Sequence, residues 1–413
     1  ASGPELAAVL QRRDAFTSQH DDRSQVEWAN DNGIDVVRGR GRLAGERGVE
    51  VTAADGSRRT LRARHAVVVA TGSTATIPAV DGLRDARPWI SRDVTNLREV
   101  PRRLAVIGGG VVACEAVTWL RGLGAEDLTV IEPARRLLSR LEPFAGELLA
   151  ERLSSVGVRV LTGTGVDAVE RPAAADTGVG RIHGGEARVT AGGETFAVDE
   201  ILVAAGRTFG SADIGLETVG LDVGPTKGAI PTDEHLAVVG VTGDWLYAVG
   251  DVNGRALLTH MGKYQGRIAG AVIAARAEGR PLDCEEHVDR ADDGAVPAVV
   301  FTIPQVASVG RTEDVARRAG IDVETVEYDL GAVAGASLLR DGYAGRAKLV
   351  IDRASDTLVG ATFVGADVAE LLHSATVAVV GRVPLSALWH AVPSYPTISE
   401  VWLRLLEARR SGA

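Results

Sequence analysis

Cysteine is scarce in this sequence, and the two that occur are far apart. Cys114 and Cys284 are the only cysteines among 413 residues, so neither belongs to a short metal-binding or redox motif, and a disulfide scaffold is excluded. This pattern is typical of a reducing cytoplasm. No apolar run approaches the roughly 20 residues of a membrane helix, and no signal peptide is visible. We therefore expect a cytoplasmic protein that does not bind a membrane.

Positive charge is also in deficit. The 45 Lys and Arg residues stand against 55 Asp and Glu residues, which gives a formal net charge of −10. Such an acidic chain is a poor candidate for binding nucleic acid or an anionic membrane surface. Methionine is almost absent, since Met261 is the only one and the chain begins at Ala1. Either an initiator methionine was removed or upstream sequence is missing.

The first part of the chain mixes helix and strand signals. Residues 1–35 predict helix, because apolar residues recur among charged ones, and Ile34–Val37 predicts a short strand. Residues 49–63 predict a β-hairpin around Asp55-Gly56. The apolar run at 65–70 predicts a buried strand that enters a turn.

Residues 103–132 contain the clearest βαβ unit. Leu104–Ile107 predicts a strand, a glycine turn follows, Val111–Gly124 predicts a helix, and Leu128–Ile131 predicts the next strand.

The second half of the chain changes character near residue 296. Residues 171–185 predict a loop between antiparallel strands, and a strand at 246–249 leads through Gly250-Asp251 into a helix over about 258–278. Residues 281–295 are charged and predict a linker. Beyond it an α+β domain is expected, with strands near 298–302, 347–352 and 358–363 and helices near 366–380 and 398–409.

The glycine turn of the βαβ unit fits the dinucleotide motif G-x-G-x-x-G/A. Gly108 permits the tight turn, Gly110 lets the backbone approach a pyrophosphate, and Ala113 allows close packing of helix and strand. The helix that begins at Val111 offers free N–H groups and a positive dipole end to the anion. We therefore predict that Gly108, Gly110 and Val111 bind the pyrophosphate of a nicotinamide dinucleotide.

An acidic residue ends the second strand of this unit. Glu132 lies near the position, roughly 20 residues after the first glycine, where a carboxylate accepts hydrogen bonds from the adenosine ribose. That position favours NADH. Arg135 and Arg136 follow closely and could instead hold the 2′-phosphate of NADPH.

Several motifs resemble, in order, those of the pyridine nucleotide–disulfide oxidoreductase family, which includes lipoamide dehydrogenase, glutathione reductase and mercuric reductase. Together they span almost the whole chain, and their order is more specific than any one of them. They are Ala70-Thr-Gly-Ser73, Gly108 to Glu115, Ala204-Ala-Gly-Arg207, Tyr247-Ala-Val-Gly-Asp251, Leu258-Thr-His-Met261, Phe301-Thr-Ile-Pro304, Val309-Gly310 with Thr312-Glu313, and Pro396-Thr-Ile-Ser-Glu400.

This resemblance implies an α/β fold with tandem Rossmann-like FAD and NAD(P) domains and a C-terminal α+β dimerisation domain. The implied boundaries are 1–99 and 216–292 for the FAD domain, 100–215 for the NAD(P) domain, and 296–413 for the domain that forms a homodimer. The implied cofactors are FAD and NAD(P), and no metal site is expected.

The resemblance also assigns roles to residues. Asp251 would bind FAD near its ribityl and pyrophosphate groups, and Glu115 would lie near flavin and nicotinamide. The remaining cofactor-binding residues implied by the family motifs are Gly41, Ala70, Thr71, Gly72, Gly206, Arg207, Gly250 and His260. Gly41 would lie near the adenine, Ala70, Thr71 and Gly72 would line a domain crossover, and His260 would lie near the flavin. Cys114 is interpreted as a core residue.

Three features of the family are absent from this sequence. No first GxGxxG precedes Ala70, no Cys-x4-Cys occurs, and the lysine that normally pairs with the glutamate at position 115 is missing. All three belong to one contiguous segment in the family, so a single missing N-terminal segment would explain them together. We therefore expect a fragment or an incomplete gene start.

A fourth departure lies in the C-terminal motif. Disulfide reductases place a catalytic histidine five residues before the glutamate, and here Tyr395 precedes Glu400 at that spacing. A histidine exchanges protons with thiols near neutral pH, whereas a phenol with a pKa near 10 does not do so readily. This argues against lipoamide or glutathione as substrate and leaves a quinone or metal acceptor open. Tyr395, Glu400 and Glu115 are the candidate catalytic residues.

Two classes of function remain open at this point. The first is an FAD-dependent NAD(P)H oxidoreductase that reduces a quinone, a metal ion or another acceptor, with disulfide reduction as an alternative for a chain completed upstream. The second is a non-catalytic, dimeric nucleotide-binding fragment. Flavin absorbance of the purified chain would distinguish the two classes.

Overall fold

A computed structural model describes residues 5–291 and 294–412. Residues 1–4, 292 and 413 fall within the predicted domains, residues 292 and 293 fall within the predicted linker, and all of them lie outside the described residues. The described helices are α1 (Leu6–Phe16), α2 (Arg23–Asp31), α3 (Ser91–Thr95), α4 (Val111–Gly122), α5 (Pro143–Ser155), α6 (Thr259–Ala277), α7 (Glu313–Arg318), α8 (Ala334–Leu339), α9 (Leu372–Val380), α10 (Leu385–Leu388) and α11 (Val401–Ser411).

The described strands occur partly in runs, with β1–β5 and β8–β14 each uninterrupted by an α-helix. They are β1 (Arg40–Leu43), β2 (Gly48–Thr52), β3 (Arg58–Arg62), β4 (Val67–Val69), β5 (Ser73–Ala75), β6 (Arg103–Ile107), β7 (Asp127–Glu132), β8 (Arg159–Thr162), β9 (Val166–Glu170), β10 (Ala187–Ala191), β11 (Glu194–Val198), β12 (Glu200–Val203), β13 (Arg207–Phe209), β14 (Leu246–Ala248), β15 (Pro297–Val300), β16 (Gln305–Gly310), β17 (Val323–Asp329), β18 (Arg346–Asp352) and β19 (Thr357–Gly365).

Two compact units divide the chain. The first takes the described parts of Ala1–Leu6, Ala75–Gly206 and Gly294–Ala413, and the second takes those of Ala7–Thr74 and Arg207–Asp293. The mixed α/β architecture predicted from the sequence is confirmed. The domain boundaries themselves stay a prediction.

The first unit contains a parallel sheet in the order β12-β6-β7-β8. The predicted βαβ unit is confirmed, because β6 and β7 pair in parallel with Ile107 opposite Ile131 and α4 connects them. Strands of this kind are buried on both faces and read as continuous apolar runs, and four residues of β6, Leu104–Ile107, are indeed buried. A three-stranded antiparallel sheet, β11-β10-β9, packs on it around a shared apolar core. The predicted 171–185 loop joins β9 to β10 as expected.

The same unit also holds a five-stranded antiparallel sheet in the order β15-β16-β19-β18-β17. Helices α9 and α11 pack on it around Phe363, Leu349 and Leu405, which are fully buried. The expected α+β pattern after residue 296 is therefore confirmed. The predicted 366–380 helix is shorter, since a 3₁₀ turn at Val368–Leu371 precedes α9.

The second unit combines a small antiparallel sheet, β1-β2-β3, with the parallel pair β14-β4. The predicted hairpin is confirmed, with Thr52 opposite Arg58 across the Asp55-Gly56 turn. Helix α6 packs its apolar face on β14, where Tyr247 meets Ile268 and Val272.

The predicted strand at Ile34–Val37 is wrong. These residues have no strand partner, and Ile34, Val36 and Val37 are between 37% and 50% exposed. The first strand begins instead at Arg40. A short apolar run becomes a strand only when a neighbouring strand accepts its hydrogen bonds. The predicted 1–35 helix consists of two helices, and α1 buries none of its apolar side chains.

Candidate functional site

Three consecutive glycines form the turn between β6 and α4. Gly108 has a φ of +112°, and a Cβ on it would lie 2.5 Å from the Ala204 carbonyl oxygen. A Cβ on Gly109 would lie 2.7 Å from the Leu137 side chain, whereas a Cβ on Gly110 would meet nothing within 4 Å. The fold itself therefore requires glycine at 108, where the contact is with backbone, whereas Gly109 is crowded by side chains and Gly110 faces open space.

The first turn of α4 is well suited to an anion. Gly110 is the N-cap residue, with an extended backbone, and no side chain among the described residues caps this helix start. Val111 is 44% exposed. Uncapped N–H groups and the positive end of the helix dipole together attract a phosphate group.

The Glu132 carboxylate accepts hydrogen bonds from two backbone N–H groups, one of which lies in the glycine turn. One oxygen accepts a hydrogen bond from the Gly109 N–H at 2.5 Å, and the other accepts one from the Ala134 N–H at 2.6 Å. A carboxylate has about four acceptor positions, so both oxygens can still accept hydrogen bonds from ribose hydroxyls. The predicted ribose-binding residue is thus held rigidly beside the predicted pyrophosphate turn.

The two arginines after this strand have different surroundings. Arg136 donates to the carbonyl oxygens of Ser139 at 3.1 Å and Leu141 at 3.4 Å, so its guanidinium stabilises the loop that follows Glu132. Arg135 is exposed. Of the two residues proposed as an alternative 2′-phosphate site, Arg135 is therefore the better placed.

Glu115 lies one turn into α4. Its carboxylate accepts a hydrogen bond from the Phe301 backbone N–H at 2.8 Å. Burial raises the pKa of this carboxyl, and the Phe301 N–H only partly offsets that effect. The Glu115 carboxylate, which the resemblance would pair with a lysine, is hydrogen-bonded here to the segment after β15.

The predicted FAD-side residues of the second unit centre on Ser73. Its hydroxyl hydrogen-bonds to Asp251, and Arg207 donates to the Ser73 hydroxyl at 2.6 Å and to its carbonyl oxygen at 2.7 Å. Arg207 also lies 3.5 Å from the Asp251 carboxylate. Asp251 is therefore fixed by a hydroxyl and a guanidinium, and Ser73 is a site residue that the sequence prediction did not include.

A buried polar network holds the turn at Gly250. The Gly250 N–H and the Asn253 amide both donate to the Gln265 side-chain oxygen, at 2.8 and 3.0 Å, and Gln265 donates to Asp289 at 3.2 Å. Gln265 is fully buried. Sequence analysis missed these three side chains. The sequence signal that could have revealed this network is a glutamine on the apolar face of α6, four residues after the buried Met261.

Other predicted residues belong to the same unit. Ala70, Thr71 and Gly72 follow β4 directly, and Gly72 has a φ of +68°. His260 is the second residue of α6 and is exposed. Gly41 lies in β1 with ordinary space around it, so no close approach requires a glycine there.

Gly206 follows β12 in the first unit. Its φ of +126° favours glycine, and its carbonyl oxygen accepts a hydrogen bond from the Thr76 N–H at 3.0 Å. Its role in cofactor binding stays a prediction.

The C-terminal motif separates its two predicted catalytic residues. Tyr395 is 76% exposed, whereas Glu400 is 6% exposed. One Glu400 oxygen accepts hydrogen bonds from Arg404 at 2.6 and 3.2 Å, and the other is buried with no hydrogen-bond partner among the described residues. The Glu400 carboxylate is therefore paired with Arg404, one turn further along the same helix, which the sequence analysis did not predict.

The described residues hold no cluster of three or more His, Cys, Asp or Glu side chains arranged to bind a metal ion. Within the same ranges, no helix is long and apolar enough to cross a membrane. A cavity of about 570 Å³ lies between α5 and the five-stranded antiparallel sheet, next to Thr302–Gln305 and Tyr343. No predicted site residue lines it.

Comparison with known proteins gives two family matches. Residues 3–279 match the family described as pyridine nucleotide-disulphide oxidoreductase. Residues 296–406 match the dimerisation domain of the same family.

Individual relatives cover nearly the whole chain. Dihydrolipoyl dehydrogenase from Chlamydia muridarum is 29% identical over 403 residues, which are 96% of this chain and 78% of that protein. Mercuric reductase from Staphylococcus aureus is 28% identical over 396 residues, which are 96% of this chain and 67% of that protein. The Cu(II) complex of the HOCl-induced flavoprotein disulfide reductase RclA from Escherichia coli shares the fold, with a TM-score of 0.81 at 24% identity over 98% of this chain and 85% of that chain.

Proposed function

This chain belongs to the pyridine nucleotide-disulphide oxidoreductase family, and we propose that it passes electrons from NAD(P)H through FAD to an acceptor other than a disulfide. Family members bind FAD and NAD(P)H, and the homologues of this chain are NAD(P)H-dependent flavoprotein oxidoreductases. A quinone or a soft metal ion is the acceptor class that we propose. Tyr395, at the position of the thiol base, is the observation that carries the proposal.

The surroundings of Tyr395 support this choice. A thiol base must exchange protons near neutral pH, which an imidazole does and a phenol does not do readily. Glu400, which would orient an imidazole, is engaged by Arg404. Burial raises the pKa of Cys114 to about 12, well above the range of a reactive thiol, which fits its interpretation as a core residue. Tyr395 is exposed enough to shape a pocket for a flat acceptor.

The residues of the first unit fit a nicotinamide dinucleotide. Gly110 leaves open the space that a Cβ would fill, directly at the uncapped start of α4. We propose that these N–H groups bind the pyrophosphate and that Glu132 accepts hydrogen bonds from the adenosine ribose. The 2′-hydroxyl of NADH fits such an acceptor, whereas a 2′-phosphate would be repelled by the carboxylate. NADH is therefore the proposed donor.

The residues of the second unit fit part of an FAD site. Asp251 presents a fixed carboxylate, and the Gln265 network fixes the Gly250 turn beside it. We propose that Gly250 and Asp251 bind the ribityl and pyrophosphate region, with Ala70–Gly72 and His260 nearby. FAD, when bound, supplies the capacity to accept a hydride and pass electrons onward, and the protein supplies orientation and exclusion of water.

We also propose a homodimer formed through residues 296–413. The match to a dimerisation domain supports this assembly. This region exposes apolar side chains that a second subunit could cover, among them Leu338, which is 74% exposed, and Val392, which is 84% exposed. The domain boundaries at 1–99, 100–215 and 216–292 and a cytoplasmic location belong to the same proposal. The location rests on cysteine content, since Cys114 and Cys284 are both free.

The test is an acceptor comparison with FAD-loaded protein that also carries the family's Cys-x4-Cys segment, so that the result depends on Tyr395 and not on a missing redox disulfide. NADH oxidation is measured with lipoamide, oxidised glutathione, a benzoquinone and Hg(II), and dihydrolipoyl dehydrogenase from Chlamydia muridarum serves as the control for lipoamide. We expect the quinone or Hg(II) to be reduced fastest. Turnover of either disulfide at the rate of the best other acceptor would contradict the proposal. Failure of the protein to bind flavin would favour a non-catalytic role.

A further inference from the structure

A buried lysine connects the five-stranded antiparallel sheet of the first unit to the proposed nucleotide-binding part of the same unit. Lys348 lies on the inner strand β18 and is 5% exposed. Its ammonium group donates to Glu313 at 2.7 Å and to Glu142 at 2.9 Å, and Glu327 lies 3.6 Å away. It is one of three lysines in a chain that otherwise uses arginine.

The cluster combines two hydrogen-bonded ion pairs with a third carboxylate at longer range. Burial alone would lower the pKa of Lys348, but its hydrogen bonds to Glu313 and Glu142 outweigh that effect and hold the pKa above its ordinary value. Glu142 is 1% exposed, and its second oxygen accepts a hydrogen bond from the Glu313 N–H at 2.7 Å. A buried ion pair of this kind contributes little net stability against an apolar replacement but fixes geometry strongly.

Glu142 also ends the loop of residues 133–142, which begins after Glu132. The Leu138 N–H of this loop donates to the Gly109 carbonyl oxygen at 2.9 Å. Next to Leu138, α5 is packed against the loop, because a Cβ on Gly146 would lie 2.1 Å from the Leu137 carbonyl oxygen. The 133–142 loop is thus held on the glycine turn near its middle and on Lys348 at its C-terminal end.

We infer that Lys348 is a positioning residue for the dinucleotide: by holding Glu142 it fixes the 133–142 loop against the glycine turn, and thereby sets affinity for the adenosine half of NAD(P)H. This inference rests on the nucleotide site proposed above. It makes the antiparallel sheet, which belongs to the proposed dimerisation domain, part of the apparatus that binds the electron donor.

The test uses three variants of the FAD-loaded protein. Lys348→Met removes the ammonium group and keeps most of the side-chain volume. Glu142→Gln keeps an acceptor for the Glu313 N–H but loses the charge. Arg409→Met is the matched control, because Arg409 of α11 makes ion pairs with Glu324 of β17 and with Asp356, outside the 133–142 loop.

Calorimetry with ADP-ribose and steady-state kinetics with NADH give the readout. We expect Lys348→Met and Glu142→Gln to weaken ADP-ribose at least about fivefold and to raise the KM for NADH by a similar factor, while kcat stays within about twofold. Arg409→Met should lower the melting temperature yet leave both constants within about twofold. This split between KM and kcat is what a merely structural role would not produce.

The outcomes separate the inference from the site on which it rests. ADP-ribose binding within twofold of wild type in both test variants would overturn the role of Lys348 alone. If Lys348→Met does not fold, Glu142→Gln decides the question. If the wild-type protein binds no ADP-ribose, the proposed nucleotide site and the role of Lys348 both fail.

Discussion

Gly110→Val should abolish most dinucleotide binding while leaving the fold intact. A Cβ at this position meets no protein atom within 4 Å, and the backbone, with φ −81° and ψ −170°, is extended and acceptable to valine. The added side chain would instead occupy the space in front of the first N–H groups of α4. The loss to the protein itself is confined to the N-cap, about 1 kcal/mol.

The loss of binding should be larger than the loss of stability. Hydrogen bonds to a charged group contribute about 1.5–3 kcal/mol each, so losing one or two of them should cost about 3 kcal/mol. That corresponds to a dissociation constant raised roughly 100-fold. Gly108→Ala should behave in the opposite way, because its Cβ would lie 2.5 Å from the Ala204 carbonyl oxygen and the fold would be strained first.

The assay is isothermal calorimetry with NADH, accompanied by thermal unfolding of each variant. Gly122→Val is the matched control, since Gly122 ends the same helix and a Cβ there also meets nothing within 4 Å. It should leave NADH affinity unchanged. Unchanged affinity in Gly110→Val would remove the glycine turn from the site and refute the reasoning.

Three further predictions follow from the same geometry. Glu132→Ala should raise the KM for NADH about tenfold, because one ribose acceptor is lost; a wild-type preference for NADPH would instead assign the adenosine contact to Arg135. Light scattering at micromolar concentration should show a dimer, and a monomer would contradict the assignment of residues 296–413. The hydrogen bond from Lys348 lowers the pKa of Glu313 below its ordinary 4.5, so the stability it contributes is present above that value and is lost as the pH falls through the lower folded value. Urea unfolding of Glu313→Gln should therefore show a shallower decline below pH 4.5 than wild type, and an identical decline would contradict this.

The parts of the fold that sequence analysis predicted correctly depend on neighbouring residues. The βαβ unit around Gly108 was predicted because an apolar strand, a glycine turn and an amphipathic helix each leave a local signature. Ile34–Val37 shows the limit of that signature. Its apolar run indicates a strand equally well with or without a partner, and the partner is a property of the whole chain.

The residues of the candidate site and of the Lys348 cluster that sequence analysis missed depend on contacts between distant positions. Glu142 and Lys348 are 206 residues apart, and Ser73 is 178 residues from Asp251. Arg404 escaped notice for a different reason, since its spacing from Glu400 is an ordinary helical one and its significance appears only when Glu400 is seen to be buried. Gln265 could have been found, because a polar residue on a buried helix face requires a partner.

The central claim is that this flavoprotein delivers electrons to a non-thiol acceptor. The most direct measurement is the ratio of kcat/KM for a benzoquinone to kcat/KM for lipoamide, determined with NADH on one FAD-loaded preparation that also carries the family's Cys-x4-Cys pair, so that Tyr395 is the feature tested. Loss of a general acid–base costs roughly 10²–10⁴ in rate, so with Tyr395 in place of an imidazole we expect a ratio of at least about 100. A ratio near or below one would contradict the account.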